Sequence, residues 1–238
     1  AFMGLYDRNY QTQNQNIGLA QGAFANDNAL VGFVKTTYKF FAASLLFATI
    51  GAIVGFMNFA LVTDPAVRIG LIVAEIVAFL GLLFLRKSPG LNVALLFIFT
   101  FLTGITLVPL LGLVLARQGV GAIAQAFGMS TIVFGVMSIF ALKTKADLAN
   151  MGKMLLISLI VVVICSLVNL FLGSPMFQVL IAGAAVVLFS LFVAYDTQNI
   201  VRGLYADPVQ AAVSLYLDFL NIFVSLLQLF GILGGKDE

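Results

Sequence analysis

Long apolar runs separated by short polar breaks dominate the chain. Each run holds about 20 residues, the length that crosses the hydrocarbon core of a bilayer as an α-helix. Asp64-Pro65, the segment from Arg86 to Gly90 and the segment from Gly173 to Pro175 mark three of the breaks, because proline, glycine and charge interrupt such helices. The predicted spans cover residues 40–62, 69–85, 91–115, 121–142, 154–172, 177–195 and 211–233.

The beginning of the chain has a different pattern. Residues 1–32 are rich in Asn, Gln and Gly and lack a periodic apolar pattern. They also lack the apolar segment of a cleavable signal peptide. We interpret residues 1–32 as a polar N-terminal tail and residues 33–235 as a single transmembrane domain. The predicted fold class is an all-α integral membrane protein, a bundle of seven transmembrane helices.

Composition supports this class and excludes several kinds of site. Of the 238 residues, 62% are hydrophobic and 9% are charged, whereas a soluble domain carries about 25% charged residues. The sequence has no histidine, which excludes histidine-based catalytic triads, metal sites and pH switches. Its single cysteine, Cys165, lies in an apolar run, and no basic block indicates nucleic-acid binding.

The short loops predict the orientation of the chain, because Lys and Arg concentrate on the cytoplasmic side of membrane proteins. Nine basic residues lie on the side of the N-terminus and three on the other. We therefore expect a cytoplasmic N-terminus and, after seven spans, a C-terminus outside. The nine are Arg8, Lys35, Lys39, Arg86, Lys87, Lys143, Lys145, Lys153 and Arg202, and the three are Arg68, Arg117 and Lys236.

Two aspartates lie in or at the edge of apolar runs, where a carboxylate is costly without a partner or a function. Asp196 follows the sixth predicted span, and Asp218 lies about two turns inside the seventh, or roughly 10 Å at 1.5 Å per residue. The predicted topology brings Arg86, after the second span, to the same half of the membrane. These three residues form the candidate gate, and Thr197 and Gln198 are candidate hydrogen-bond partners of the pair.

Polar residues also follow one face of the seventh span. At about 100° per residue their side chains fall within an arc of roughly 80°. Such a stripe predicts a face turned to the bundle interior or to water, although Ser, Asn and Gln also join membrane helices by hydrogen bonds. Together with Asp218, the stripe consists of Ser214, Asn221, Ser225 and Gln228.

Glu75 lies near the middle of the second span, 11 residues before Arg86. A carboxyl group at this depth is neutral or paired. Two interpretations are comparable: an intermediate site on an ion path, and a buried structural hydrogen bond.

Small residues inside the spans predict close contacts between helices, because they let two backbones approach. Gly51 and Gly55 in the first span and Gly104 in the third are the main candidates. Gly128 in the fourth span carries the same prediction.

Two neighbouring carboxylates have a distinctive chemistry. At low dielectric they resist being ionised together, so such a pair tends to share a proton. When ionised they offer the hard oxygen ligands that suit Ca²⁺. An arginine at the same depth competes with the cation by pairing with one carboxylate. We therefore predict a gate that is closed when Arg86 binds Asp196 and opens when Arg86 is released, with Ca²⁺ binding at Asp196 and Asp218.

Intramembrane aspartyl proteases also use two membrane aspartates, one of which activates water. Proteases of the presenilin type carry Tyr-Asp on one span and Gly-x-Gly-Asp on the next. Tyr195-Asp196 fits the first motif, but residues 215–217 before Asp218 contain no glycine. The chain also lacks a Pro-Ala-Leu segment. We therefore expect that the protein is not an enzyme and has no catalytic residues.

These aspartate segments resemble the last two spans of the Bax inhibitor-1 family, also called the transmembrane Bax inhibitor motif family. The resemblance covers about residues 35–233 and implies a seven-helix bundle with a largely central last span. The segments that carry it are Tyr195-Asp196 with Gln198 and Ile200, residues 214–221 continuing through 230–233, residues 103–109, and Glu75 with Leu85-Arg86.

The resemblance also implies a function. Bacterial members of the family are described as pH-sensitive Ca²⁺ leak channels of the inner membrane, with a paired-aspartate sensor between the last two spans. Carried over to this chain, the sensor consists of Asp196 and Asp218, and Arg86 is the arginine latch. The short loops resemble those of a bacterial member.

Three functions therefore remain open. The first is a calcium-leak channel of the bacterial inner membrane that responds to protons. The second is a regulatory membrane protein, since some bacterial relatives are tied to a membrane-bound protease. The third is an H⁺-coupled cation exchanger. The expected partners are the lipid bilayer, Ca²⁺, protons and a membrane protease complex, with no nucleic acid and no bound cofactor.

Overall fold

The computed structural model describes residues 27–85, 88 and 90–233, and the regular secondary structure within these residues is helical, with no strand. A short 3₁₀ turn, Leu148–Met151, precedes the sixth helix. The helices are α1 (Asp27–Met57), α2 (Phe59–Thr63), α3 (Pro65–Phe84), α4 (Leu91–Gln118), α5 (Val120–Lys143), α6 (Gly152–Leu172), α7 (Pro175–Val201) and α8 (Pro208–Leu233).

Seven helical segments of the described chain are long and apolar enough to cross a membrane, which confirms the predicted seven-helix class. Some boundaries differ from the predicted ones. Helix α1 begins at Asp27, inside the predicted tail, while residues 1–26 lie outside the described part of the chain. Helix α7 continues to Val201 instead of ending at 195, so Asp196 lies within the helix.

The predicted breaks between spans are built from helix caps. The Asp64 carboxylate accepts hydrogen bonds from the backbone N–H groups of Ala66 and Val67, and Pro65 occupies the first turn of α3. Proline at that position costs no helical hydrogen bond because its missing N–H has no partner there. At the break between the fifth and sixth spans, Ser174 caps α7 by accepting from the Phe177 N–H at 3.3 Å.

Helix α8 is central in the bundle: more than half of its most apolar stretch is buried, and it packs against α1, α4, α5 and α7. The ring of Phe219 lies 5.6 to 6.2 Å from the rings of Phe41, Phe127 and Phe134, measured between centroids. Edge-to-face pairs of this kind favour fixed ring positions. The central last span that the resemblance implies is therefore present, and one face of it is held by aromatic packing.

Helices α1 and α4 approach each other at glycines. A Cβ atom on Gly51 would lie 2.1 Å from the Phe101 carbonyl oxygen, and one on Gly104 would lie 2.0 Å from the Ala48 carbonyl oxygen. The prediction of close packing is confirmed at these two positions. It is wrong for Gly128, where an added Cβ would meet nothing within 4 Å, because that side of α5 does not face a neighbouring helix closely.

We expect Gly104→Val to destabilise the bundle, because the new side chain must push α1 away from α4. Overpacking of this kind costs about 1–3 kcal/mol. Thermal unfolding in detergent, followed by circular dichroism, measures the effect. Gly128→Val is the matched control and should change the midpoint little. Equal midpoints for the two variants would contradict the close packing of α1 and α4.

Candidate functional site

The structure brings the two predicted aspartates together. Asp196 on α7 and Asp218 on α8 are 6% and 4% exposed, and their carboxyl groups lie close enough to interact directly. If both were ionised, neither could donate to the other, and Asp218 Oδ2 has no hydrogen-bond partner among the described residues. A single proton held between them supplies the missing donor. The geometry therefore suits a proton-sharing pair.

A tyrosine outside the spans completes the site. The Tyr205 hydroxyl donates to Asp196 Oδ1 at 2.8 Å, and it also contacts the hydroxyl of Ser214. Burial, reinforced by the neighbouring Asp196 charge, raises the pKa of Tyr205 well above its ordinary value. The hydroxyl is therefore protonated and available as a donor at physiological pH.

A cavity of about 580 Å³ lies between α6, α7 and α8 and reaches the aspartate pair. Apolar side chains of α6 and α7 form much of its wall, and the predicted stripe on α8 forms the polar part. The stripe therefore lines this cavity, and Gln228 also joins α8 to α7 by a hydrogen bond, so the structure has features of both interpretations. The stripe residues on the wall are Ser214, Asp218, Asn221, Ser225 and Gln228, and Asp196 lines the cavity beside them.

Neutral amides connect the helices at the far end of this cavity. Asn169 Nδ2 donates to Gln178 Oε1 at 2.8 Å, and Gln178 Nε2 donates to Gln228 Oε1 at 2.9 Å. Gln228 lies ten residues beyond Asp218 on α8, or about 15 Å along the helix axis. The cavity thus extends from an ionisable pair at one end to uncharged amides at the other.

The residues next to Asp196 have a different task from the predicted one. Thr197 Oγ1 lies 3.3 Å from Ser138 Oγ on α5. Gln198 accepts from the Leu148 N–H at 2.8 Å and donates to the Ala146 carbonyl at 3.0 Å. These bonds fasten the end of α7 to the connection between α5 and α6 instead of reaching the aspartate pair.

The six-residue connection from α7 to α8, residues 202–207, is anchored on both sides. Arg202 forms an ion pair with Asp147 ahead of α6. Slight burial opposes ionisation of Asp147, but the hydrogen bonds from the Arg202 guanidinium and the Ala149 N–H outweigh it and lower its pKa below the ordinary value. Asp207 Oδ2 accepts from Asn92 Nδ2 of α4 at 2.7 Å.

Glu75 does not belong to this site. It lies on α3, accepts a hydrogen bond from Thr106 Oγ1 at 2.6 Å and does not line the cavity. Thr106 also bonds to the Thr103 carbonyl, and the Thr103 hydroxyl contacts that of Tyr216 on α8. The structure gives Glu75 a half-buried hydrogen bond and no place among the residues that line this cavity.

The remaining member of the predicted gate is not placed, because Arg86 lies outside the described residues. Within the described part, no three His, Cys, Asp or Glu side chains form a group that could hold a metal ion. The aspartate pair therefore offers two carboxyl groups without a third. A protein site for resident Ca²⁺ has six to eight oxygen ligands, more than two carboxyl groups supply.

Sequence reasoning found the aspartates and the stripe but missed Tyr205, Asn169 and Gln178. Asn169 and Gln178 carried a weak signal, since both are polar residues near the ends of apolar runs. Tyr205 carried none, because its loop is not apolar and its partner lies on the preceding helix.

Comparison with known proteins identifies relatives in bacteria. An uncharacterized protein of Helicobacter pylori is 61% identical over 236 residues, which is 99% of this chain and 100% of that protein. An uncharacterized protein of Campylobacter jejuni is 45% identical, covering 95% and 97% of the two chains. An uncharacterized membrane protein of Vibrio cholerae is 32% identical, covering 86% and 91%.

The family model described as "Inhibitor of apoptosis-promoting Bax1" matches residues 30–235, nearly the whole described chain. The match includes both aspartates, the stripe on α8 and Tyr205. With its seven apolar helices and its bacterial relatives, the protein is an integral membrane protein of bacterial type. The chain belongs to the Bax inhibitor family.

Proposed function

We propose that the protein is a calcium-leak channel of the bacterial cytoplasmic membrane, with the Asp196–Asp218 pair as its proton-sensitive gate. The observation that carries the proposal is the position of this pair, buried and in mutual contact at the end of a cavity with a polar stripe. Buried carboxyl groups inside a membrane bundle typically mark an ion or proton pathway. No catalytic step is assigned to either aspartate.

The polar groups that a cation would meet change along the cavity. The stripe on α8 presents hydroxyl and amide groups, which can replace part of the hydration shell of the ion. At the end of the stripe, the ionised pair supplies hard carboxylate oxygens that suit Ca²⁺. Only two carboxylates meet there, so the cation binds weakly enough to leave again.

Protons act on this site by competing with the cation. When the pair holds a proton, its charge falls and its attraction for Ca²⁺ falls with it. Protonation also weakens the pairing of Asp196 with a positively charged latch. Both effects require the aspartates, so the pH dependence of flux depends on the pair.

In this proposal Arg86 is the latch that pairs with Asp196. Leu82 and Leu83, close to the end of α3, line a second cavity together with Tyr205. The chain therefore leaves α3 on the side of the bundle where the aspartate pair lies. An arginine that binds one carboxylate there excludes a cation from it.

Replacement of the aspartates tests the gate. We expect Asp218→Asn to lower Ca²⁺ flux into proteoliposomes by about tenfold, since contacts to charged groups contribute roughly 1.5–3 kcal/mol. Asp196→Asn and Asp218→Asn should both flatten the dependence of flux on pH. Arg86→Ala should raise the flux because the latch is lost.

The same proteoliposomes provide the controls. Arg117→Ala removes a positive charge at the end of α4, away from the pair, and should leave flux unchanged. Flux that continues without a proton or counter-cation gradient distinguishes a leak from an exchanger. If the aspartate variants and Arg86→Ala all behave as the parent does at every pH, the gate is not built from these residues.

The polar stripe has its own test. Asn221 lines the cavity one turn beyond Asp218, so Asn221→Leu should reduce Ca²⁺ flux several-fold by removing a polar group from the path. Thr131→Val is a suitable control because Thr131 is exposed on α5 and bonds only to the Phe127 carbonyl of its own helix. An Asn221→Leu protein that conducts as well as Thr131→Val would show that ions do not pass along the stripe.

A further inference from the structure

Two cavities approach each other at Tyr205. The first is the cavity of about 580 Å³ that contains the aspartate pair. The second, of about 210 Å³, lies between the end of α3, the start of α4, the 202–207 connection and the start of α8. Ser214 and Leu217 line both cavities, so the two volumes share part of one wall.

Tyr205 stands at this shared boundary. Its side chain lines the second cavity, and its hydroxyl donates to Asp196, which lines the first. The ring and its hydrogen bond thus lie between the two volumes. We propose that Tyr205 is a hydrogen-bonded stopper that separates the aspartate pair from the second cavity and must swing away before a cation can pass between them.

The backbone around Tyr205 favours a fixed position for the stopper. Gly203 adopts a φ of 67°, a left-handed conformation that suits glycine, and lets the chain turn sharply after α7. The Leu204 N–H then bonds to the Asn199 carbonyl at 2.9 Å. Together with the anchors at Arg202 and Asp207, this turn holds the Tyr205 backbone, so opening is a rotation of the side chain.

The hydrogen bond makes the stopper sensitive to cations. The Tyr205 hydroxyl occupies an oxygen of Asp196 that a cation would also need. A cation arriving at the pair therefore competes with Tyr205, and displacement of the hydroxyl frees the ring to move. Asp207 gives the second cavity a negative group that favours cations there.

The inference rests on the proposed conduction path for its effect on flux, but the stopper itself can be tested without flux. In a Cys165→Ser background, which removes the sequence's single cysteine, Ser225→Cys places a thiol in the first cavity only. Ag⁺, a small thiol-binding cation, is added to sealed vesicles on the face that carries residues 202–207. Thiols left unreacted are alkylated in denaturant and counted by mass spectrometry.

With Tyr205 present we expect slow reaction of the Ser225→Cys thiol from this face. Tyr205→Ala should speed the reaction by about tenfold or more, and Tyr205→Phe should speed it less, since Phe keeps the ring but loses a hydrogen bond to a charged group. Ala206→Cys, exposed in the same connection, should react at one rate in all three backgrounds. It also reports which vesicles expose this face.

Two results would overturn the stopper. In one, the Ser225→Cys thiol reacts fast in both the parent and the Tyr205→Ala protein, and in the other it reacts slowly in both. If the thiol reacts as slowly in the Tyr205→Phe protein as in the parent, the hydrogen bond does not hold the stopper in place. Ca²⁺ flux measured on the same variants separates the two proposals. Faster labelling without any flux would support the stopper and contradict the leak channel.

Discussion

The arrangement of this protein depends on the cost of placing two carboxyl groups inside a membrane bundle. Hydrocarbon offers neither carboxyl group a hydrogen bond, so the surrounding helices must provide every partner. Asp196 obtains the Tyr205 hydroxyl, and Asp218 obtains Asp196. Each of these contacts constrains another element. Helices α7 and α8 must be adjacent, and the connection between them must fold back so that Tyr205 reaches α7.

Helix α8 meets this constraint with an apolar side that packs in the bundle and a polar side that lines the cavity. One side carries Phe219, which is enclosed by aromatic rings from α1 and α5 and fixes the rotation of the helix. The other side carries the polar stripe and faces the cavity. The glycine contact of α1 with α4 helps to keep this core close-packed. The stripe faces the cavity because the aromatic side is occupied by packing.

The features that the sequence predicts are those that depend on local periodicity. Seven apolar lengths predict the spans, and the spacing from Ser214 to Gln228 predicts one polar face. Contacts made by the connections between spans do not follow from such patterns: Tyr205 meets Asp196, nine residues earlier, because a six-residue turn folds back. Helix α7 likewise outlasts its apolar run because Thr197 and Gln198 find partners in other segments. Gly128 shows the converse, a small residue with no close neighbour.

The two ends of the cavity differ in the kind of group that meets an ion, and this difference assigns them different tasks. The amides of Asn169, Gln178 and Gln228 do not titrate, so protons leave that end unchanged. In the proposed channel, the aspartate pair changes charge with its proton and exchanges the Tyr205 hydroxyl for a cation. The proposal therefore confines control by protons to the end at residues 202–207. In the proposed channel the neutral end contributes ligands of constant strength, and we expect any change in flux with pH to originate at Asp196 and Asp218.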